Sequence, residues 1–78
     1  MKIRILLFAR LRDLLGTDSV ELDSSDIESV GDAYRILRSK YPEVEAFSSS
    51  LLVAVNQEFA DWDTPISEGD ELALFPPV

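Results

Sequence analysis

Asp61 and Asp63, and Asp70 and Glu71, are carboxylate pairs spaced closely enough to share a cation. A calcium ion draws about six to eight oxygens from an organised loop, and no EF-hand pattern surrounds either pair, so neither is expected to hold a metal. The 78 residues include no cysteine and no histidine. Their absence removes most zinc ligand sets, the Cys–His and Ser–His–Asp nucleophile systems, and an imidazole general base. No glycine-rich loop that would cradle a phosphate is present. If the chain takes part in chemistry, most of the catalytic groups belong to a partner.

The charge pattern says what kind of partner to expect. The net charge of −8 argues against nucleic acid, which needs clustered Lys and Arg to neutralise phosphates. Every basic side chain lies at or before Lys40, and Glu43, Glu45, Glu58, Asp61, Asp63, Glu68, Asp70 and Glu71 follow with no cation among them. Such a surface is steered toward a basic partner, although acidity also serves solubility alone. Arg10 and Arg12 are placed either to meet a partner's acids or to sit in solvent.

A chain of this length makes one domain, expected over residues 1–78, and its 46% hydrophobic content suits a packed globule. No apolar run reaches the length of a membrane span, and the basic start at Lys2 is followed by a segment that Arg4 and Arg10 interrupt, which reads as a strand rather than an export signal. With no cysteine to oxidise, a cytoplasmic location fits, away from membranes.

The elements follow from periodicity. Ile3, Ile5 and Leu7 alternate with Arg4, Leu6 and Phe8, the period of a strand. One face is aliphatic; the other begins charged and ends apolar. Ala9 to Gly16 reads as a short helical turn, with Leu11, Leu14 and Leu15 spaced to fold back onto the core. A second strand is expected over Ser19–Leu22, antiparallel to the first. Val30, Ala33, Tyr34, Leu37 and Tyr41 form one helical stripe. Ser29 is the better N-cap than Ser25, since an earlier start would place Gly31 inside the helix at a cost of about 1 kcal/mol. Pro42 stops the helix. A polar connection with one helical turn around Val44 and Phe47 leads to a strand over Leu51–Val55. Asn56-Gln57-Glu58 supplies a turn, Phe59–Trp62 a short edge strand with Trp62 as a packing residue, and Ser67–Asp70 a second turn. The last strand covers Glu71–Phe75, and Pro76 and Pro77 end it.

Strand, strand, helix, strand, short strand, strand is the order of a β-grasp: an α+β fold with one mixed sheet wrapped on one main helix. If Ile3, Ile5, Leu7, Leu72 and Leu74 meet the helix, then Leu6, Phe8 and Phe75 point away from it, with Phe59 a weaker companion. An uncovered apolar patch of that kind marks a partner-binding surface unless a loop lies over it. Pro76-Pro77 would hold the exit of the chain extended, positioning the tail through Val78.

Three blocks then resemble the small subunit of molybdopterin synthase, a ubiquitin-like sulfur carrier. They are Phe8-Ala9-Arg10-Leu11-Arg12-Asp13-Leu14-Leu15-Gly16, Ala54-Val55-Asn56-Gln57-Glu58, and the most specific, Gly69-Asp70-Glu71-Leu72-Ala73-Leu74-Phe75-Pro76-Pro77-Val78. The resemblance implies a carrier for molybdenum cofactor biosynthesis that is not catalytic alone. In that family the chain continues beyond this valine to a terminal Gly-Gly, whose carboxylate becomes a thiocarboxylate and gives sulfur to a pterin precursor. The reactive group is accordingly expected beyond Val78, with none among the 78 residues. The implied partners are the synthase large subunit, in a heterotetramer, and an adenylyltransferase resembling the ubiquitin-activating enzyme. That enzyme uses ATP, while the carrier itself binds no cofactor. Two other functions suit the same fold: a covalent protein modifier, and a docking module without chemistry.

Overall fold

A computed structural model describes residues 1–76. Its elements are β1 (Lys2–Leu7), α1 (Ala9–Leu15), β2 (Ser19–Asp23), α2 (Val30–Lys40), a 3₁₀ segment (Pro42–Phe47), β3 (Leu52–Val55), β4 (Glu58–Ala60) and β5 (Glu71–Phe75). The strands form one sheet in the order β2-β1-β5-β3-β4. The β1–β5 pair is parallel and the other three pairs are antiparallel, so the sheet is mixed. This is the β-grasp architecture.

The stripe on α2 buries as its spacing requires. Val30, Ala33, Tyr34 and Leu37 join Ile3, Ile5, Leu7, Leu22, Val53, Leu72 and Leu74 in one core. Tyr41 is the C-cap of α2 and packs only at the margin of that core. Ser29 caps the helix, its hydroxyl accepting from the Asp32 N–H at 3.4 Å, while Asp32 Oδ2 accepts from the Glu28 N–H at 3.0 Å. Gly31 lies in the first turn, where its N–H donates to the Trp62 carbonyl at 2.8 Å and an added Cβ would sit 3.2 Å from that oxygen. The loop before β5 thus straps the helix N-terminus, and Trp62 packs on Tyr34 with ring centroids 5.0 Å apart.

Several boundaries differ from the sequence reading. β2 runs one residue further, to Asp23, because that residue pairs with Lys2. β4 begins at Glu58 and ends at Ala60, since Asn56 and Gln57 alone make the turn, with φ of 50° and 74°. Both angles are left-handed, which is the two-residue hairpin geometry that matches strand twist. Leu14 does not fold back: α1 lies at the end of the sheet, so Leu11 is fully buried while Leu14 stays 43% exposed. Gly16 ends α1 at φ 71°, its N–H on the Arg12 carbonyl. Ala9 enters α1 at φ 52°, an uncommon conformation for a residue with a Cβ.

Candidate functional site

The face of the sheet opposite α2 is built by strand alternation. Because Ile5, Leu72, Leu74 and Val53 point into the core, Leu6, Ala73, Phe75 and Leu52 must point out. Register then sets these outward residues in rows. Arg4 lies beside Glu71, Leu6 beside Ala73, Ala73 beside Ala54, Ala54 beside Phe59, and Leu52 beside Phe75. Since β1 and β5 are parallel, both run from a charged residue to an aromatic one in the same direction. The outer face therefore grades from Arg4 and Glu71 at one end to Phe8 and Phe75 at the other.

The aromatic end is a cluster. Phe8 and Phe75 stack with centroids 4.7 Å apart and planes 13° off parallel, and Phe59 tilts toward Phe75 at 6.5 Å. Phe59 is 81% exposed and Phe8 37%, so neither α1 nor a loop covers them. Together with Leu6 they bound a cleft of about 290 Å³ floored by Ala54 and Ala73, with Gln57 and Glu71 as its polar lining. All four predicted contact residues, Leu6, Phe8, Phe59 and Phe75, are thus brought onto one surface.

Leu52 belongs to the same surface at 61% exposure. The sequence alone did not single it out, because an uninterrupted apolar run does not say which of its members faces water. Its pairing with Phe75 settles that. Of the predicted tail, Pro76 is buried where the chain leaves β5. Pro77 and Val78 lie outside the described residues.

The polar residues weighed as sites have local duties. Asp61 Oδ1 accepts from the Asp63 N–H at 3.0 Å and from the Thr64 hydroxyl at 3.3 Å, forming a turn. Asp70 Oδ2 takes the Ser67 N–H at 2.7 Å, and its other oxygen takes Asn56 Nδ2 at 3.0 Å. Asn56 Oδ1 in turn accepts from the Glu71 N–H at 3.0 Å, so one side chain fastens the β3–β4 turn to the start of β5. Among the described residues no group of acidic side chains is arranged to hold a metal ion. Arg10 lies over the Phe47 ring at 6.0 Å, and Arg12 is 4.0 Å from Asp13. Among the described residues no helix is long and apolar enough to cross a membrane.

Comparison with known proteins agrees with this geometry. Residues 5–78 match the model of the ThiS family. The molybdopterin synthase sulfur carrier subunit of Dictyostelium discoideum is 38% identical, over 99% of this chain and 93% of that protein. Its namesake from Escherichia coli is 37% identical, over 97% and 95%. Among solved structures, SAMP1 from Haloferax volcanii superposes with a TM-score of 0.91 at 32% identity, covering 100% of this chain and 97% of that one.

Proposed function

The chain belongs to the ThiS family, alongside the molybdopterin synthase sulfur carrier subunits, and we propose that it is itself such a carrier, bearing sulfur on its C-terminus. The observation that carries this reading is the uncovered Phe8–Phe75 pair beside the point where the chain leaves β5 at Pro76. A partner pocket that takes the terminus must lie close to that face. Having no cysteine or histidine of its own, the chain brings a carboxylate and a docking surface, and partners bring the rest.

The chemistry balances in three steps. An adenylyltransferase joins the terminal carboxylate to AMP from ATP and releases pyrophosphate. Sulfide-level sulfur attacks the acyl carbon, AMP departs with the bridging oxygen, and a thiocarboxylate remains. Within the large subunit the sulfur passes to the pterin precursor, and water restores the carboxylate oxygen. A terminal Gly-Gly suits this passage because glycine brings no Cβ into a narrow channel and keeps its backbone torsions free.

A second reading, covalent attachment to other proteins, is favoured by the close superposition on SAMP1, the small archaeal modifier protein 1 of Haloferax volcanii. One experiment separates the two. The protein carrying a small residue and Gly-Gly after Val78 is incubated with the activating enzyme, ATP and a sulfur donor, and its intact mass is measured. Exchange of one terminal oxygen for sulfur, reversed by the large subunit with pterin precursor, is the expected result. Linkage to lysines of other proteins without that exchange would favour the modifier, and neither product would leave a docking module.

A further inference from the structure

Glu71 is the charged group that lines the aromatic cleft, and among the described residues it has no counter-ion. Its neighbour across the parallel ladder, Arg4, pairs instead with Glu21 at 3.9 Å. Among the described residues the Glu71 carboxylate takes part in no ion pair and no side-chain hydrogen bond. Its backbone is fixed on both sides by Asn56, through the N–H at 3.0 Å and the carbonyl at 2.8 Å. The strand is held while the carboxylate stays available.

We propose that this cleft receives an arginine side chain of the docking partner, its guanidinium against the aromatic rings and its charge on Glu71. The identity of that partner, the synthase large subunit, rests on the carrier reading above. Four features point to this occupant. At about 290 Å³ the cleft has room for an arginine side chain. Its walls include Phe8, Phe59 and Phe75, and ring faces attract cations. An apolar knob would strip water from Glu71 and return nothing, which is costly for a charge. The net charge of −8, with no cation after Lys40, draws a cationic surface in and repels a second copy of this chain. Arginine fits better than lysine because its planar head stacks on rings and its fork of donors suits a lining with two acceptor-bearing side chains, Glu71 and Gln57.

The test uses the protein and its large subunit, with affinity measured by calorimetry across a salt series. Glu71→Gln keeps the shape and removes the charge; it is expected to weaken binding about tenfold and to flatten the salt dependence, as loss of a charge-assisted contact does. Phe59→Leu keeps an apolar wall without the ring and should also weaken binding, and Phe59 is too exposed for this to disturb the fold. Replacing the large subunit's surface arginines with alanine one at a time should find one whose loss has no further effect in the Glu71→Gln background. Leu52→Asp, on the same face but outside the cleft lining, is the control for docking itself. If Leu52→Asp weakens binding while Glu71→Gln does not, the cleft takes an apolar group and the arginine proposal fails alone. Should neither variant matter, this face is not the docking surface and the arginine proposal falls with it, while the carrier reading is decided separately by the intact-mass experiment.

Discussion

Phe8 and Phe75, near opposite ends of the chain, stack at 4.7 Å with their rings nearly parallel. Each follows or ends a strand of the central parallel pair, so the stack exists only when β1 and β5 are in register. It joins the surface proposed for docking to the strand from which the tail departs.

Phe8→Asp should therefore separate binding from folding. Phe8 is 37% exposed and outside the main core, so the variant should stay folded. A carboxylate placed in a desolvated contact should weaken association with the large subunit or the activating enzyme by at least about tenfold, the loss of one hot-spot residue. Calorimetry on the folded variant decides it, and unchanged affinity would rule the patch out.

Leu37→Ala should act on stability. Leu37 is fully buried between α2 and the sheet, and removing such a side chain costs about 2–5 kcal/mol. Urea unfolding monitored by circular dichroism measures this, and a neutral result would contradict the packing of α2.

Gln57→Gly should stabilise the fold by about 0.5–1 kcal/mol. Gln57 sits at φ 74° in a two-residue hairpin turn after Asn56, and Asn-Gly is the pair that such turns favour. Asn56→Gly should do the reverse, because it removes the bonds to Asp70 and Glu71. Thermal melts of the two variants should shift in opposite directions.

Tyr34 should give stability an alkaline limit. Burial raises its pKa above the ordinary value near 10, the neighbouring Glu45 raises it further, and Arg38 and Ser48 oppose the shift. The folded state then keeps the phenolic proton at a pH where the unfolded chain has lost it. Its contribution is fully present below about pH 10 and declines as pH rises through the folded value. Tyr34→Phe should lose that extra alkaline slope while costing about 1 kcal/mol at neutral pH, through the bond to the Val44 carbonyl at 3.1 Å. Unfolding curves at neutral pH and above pH 10 test both parts.

Much of the fold was legible in the sequence because β1, β5 and α2 each carry an unbroken periodic pattern, and Ser29 is a strong cap. The outward set Leu6, Phe8 and Phe75 followed from the same alternation. What was not legible depends on register. Leu51–Val55 is apolar throughout, so only its pairing with β5 exposes Leu52 and buries Val53. Glu71 read as one acid among many, and its place in the aromatic cleft comes from sharing the outer face of β5 with Ala73 and Phe75. The Asn56–Asp70 bond joins two turns that no local pattern connects.

The position of β5 has a consequence for biosynthesis. The last strand of the chain lies in the middle of the sheet, between the first strand and the third. While a ribosome is still adding residues, β1 and β2 can pair, and so can β3 and β4, but the place between the two hairpins in the sheet belongs to β5. A sheet closed by such a distant pairing forms late. Only a polypeptide translated through Phe75 can complete it, and the same residue completes the aromatic stack. Prematurely terminated products would be left as open hairpins for proteases to clear, so the pool of folded carrier is already sorted for molecules synthesised as far as the strand that delivers the tail.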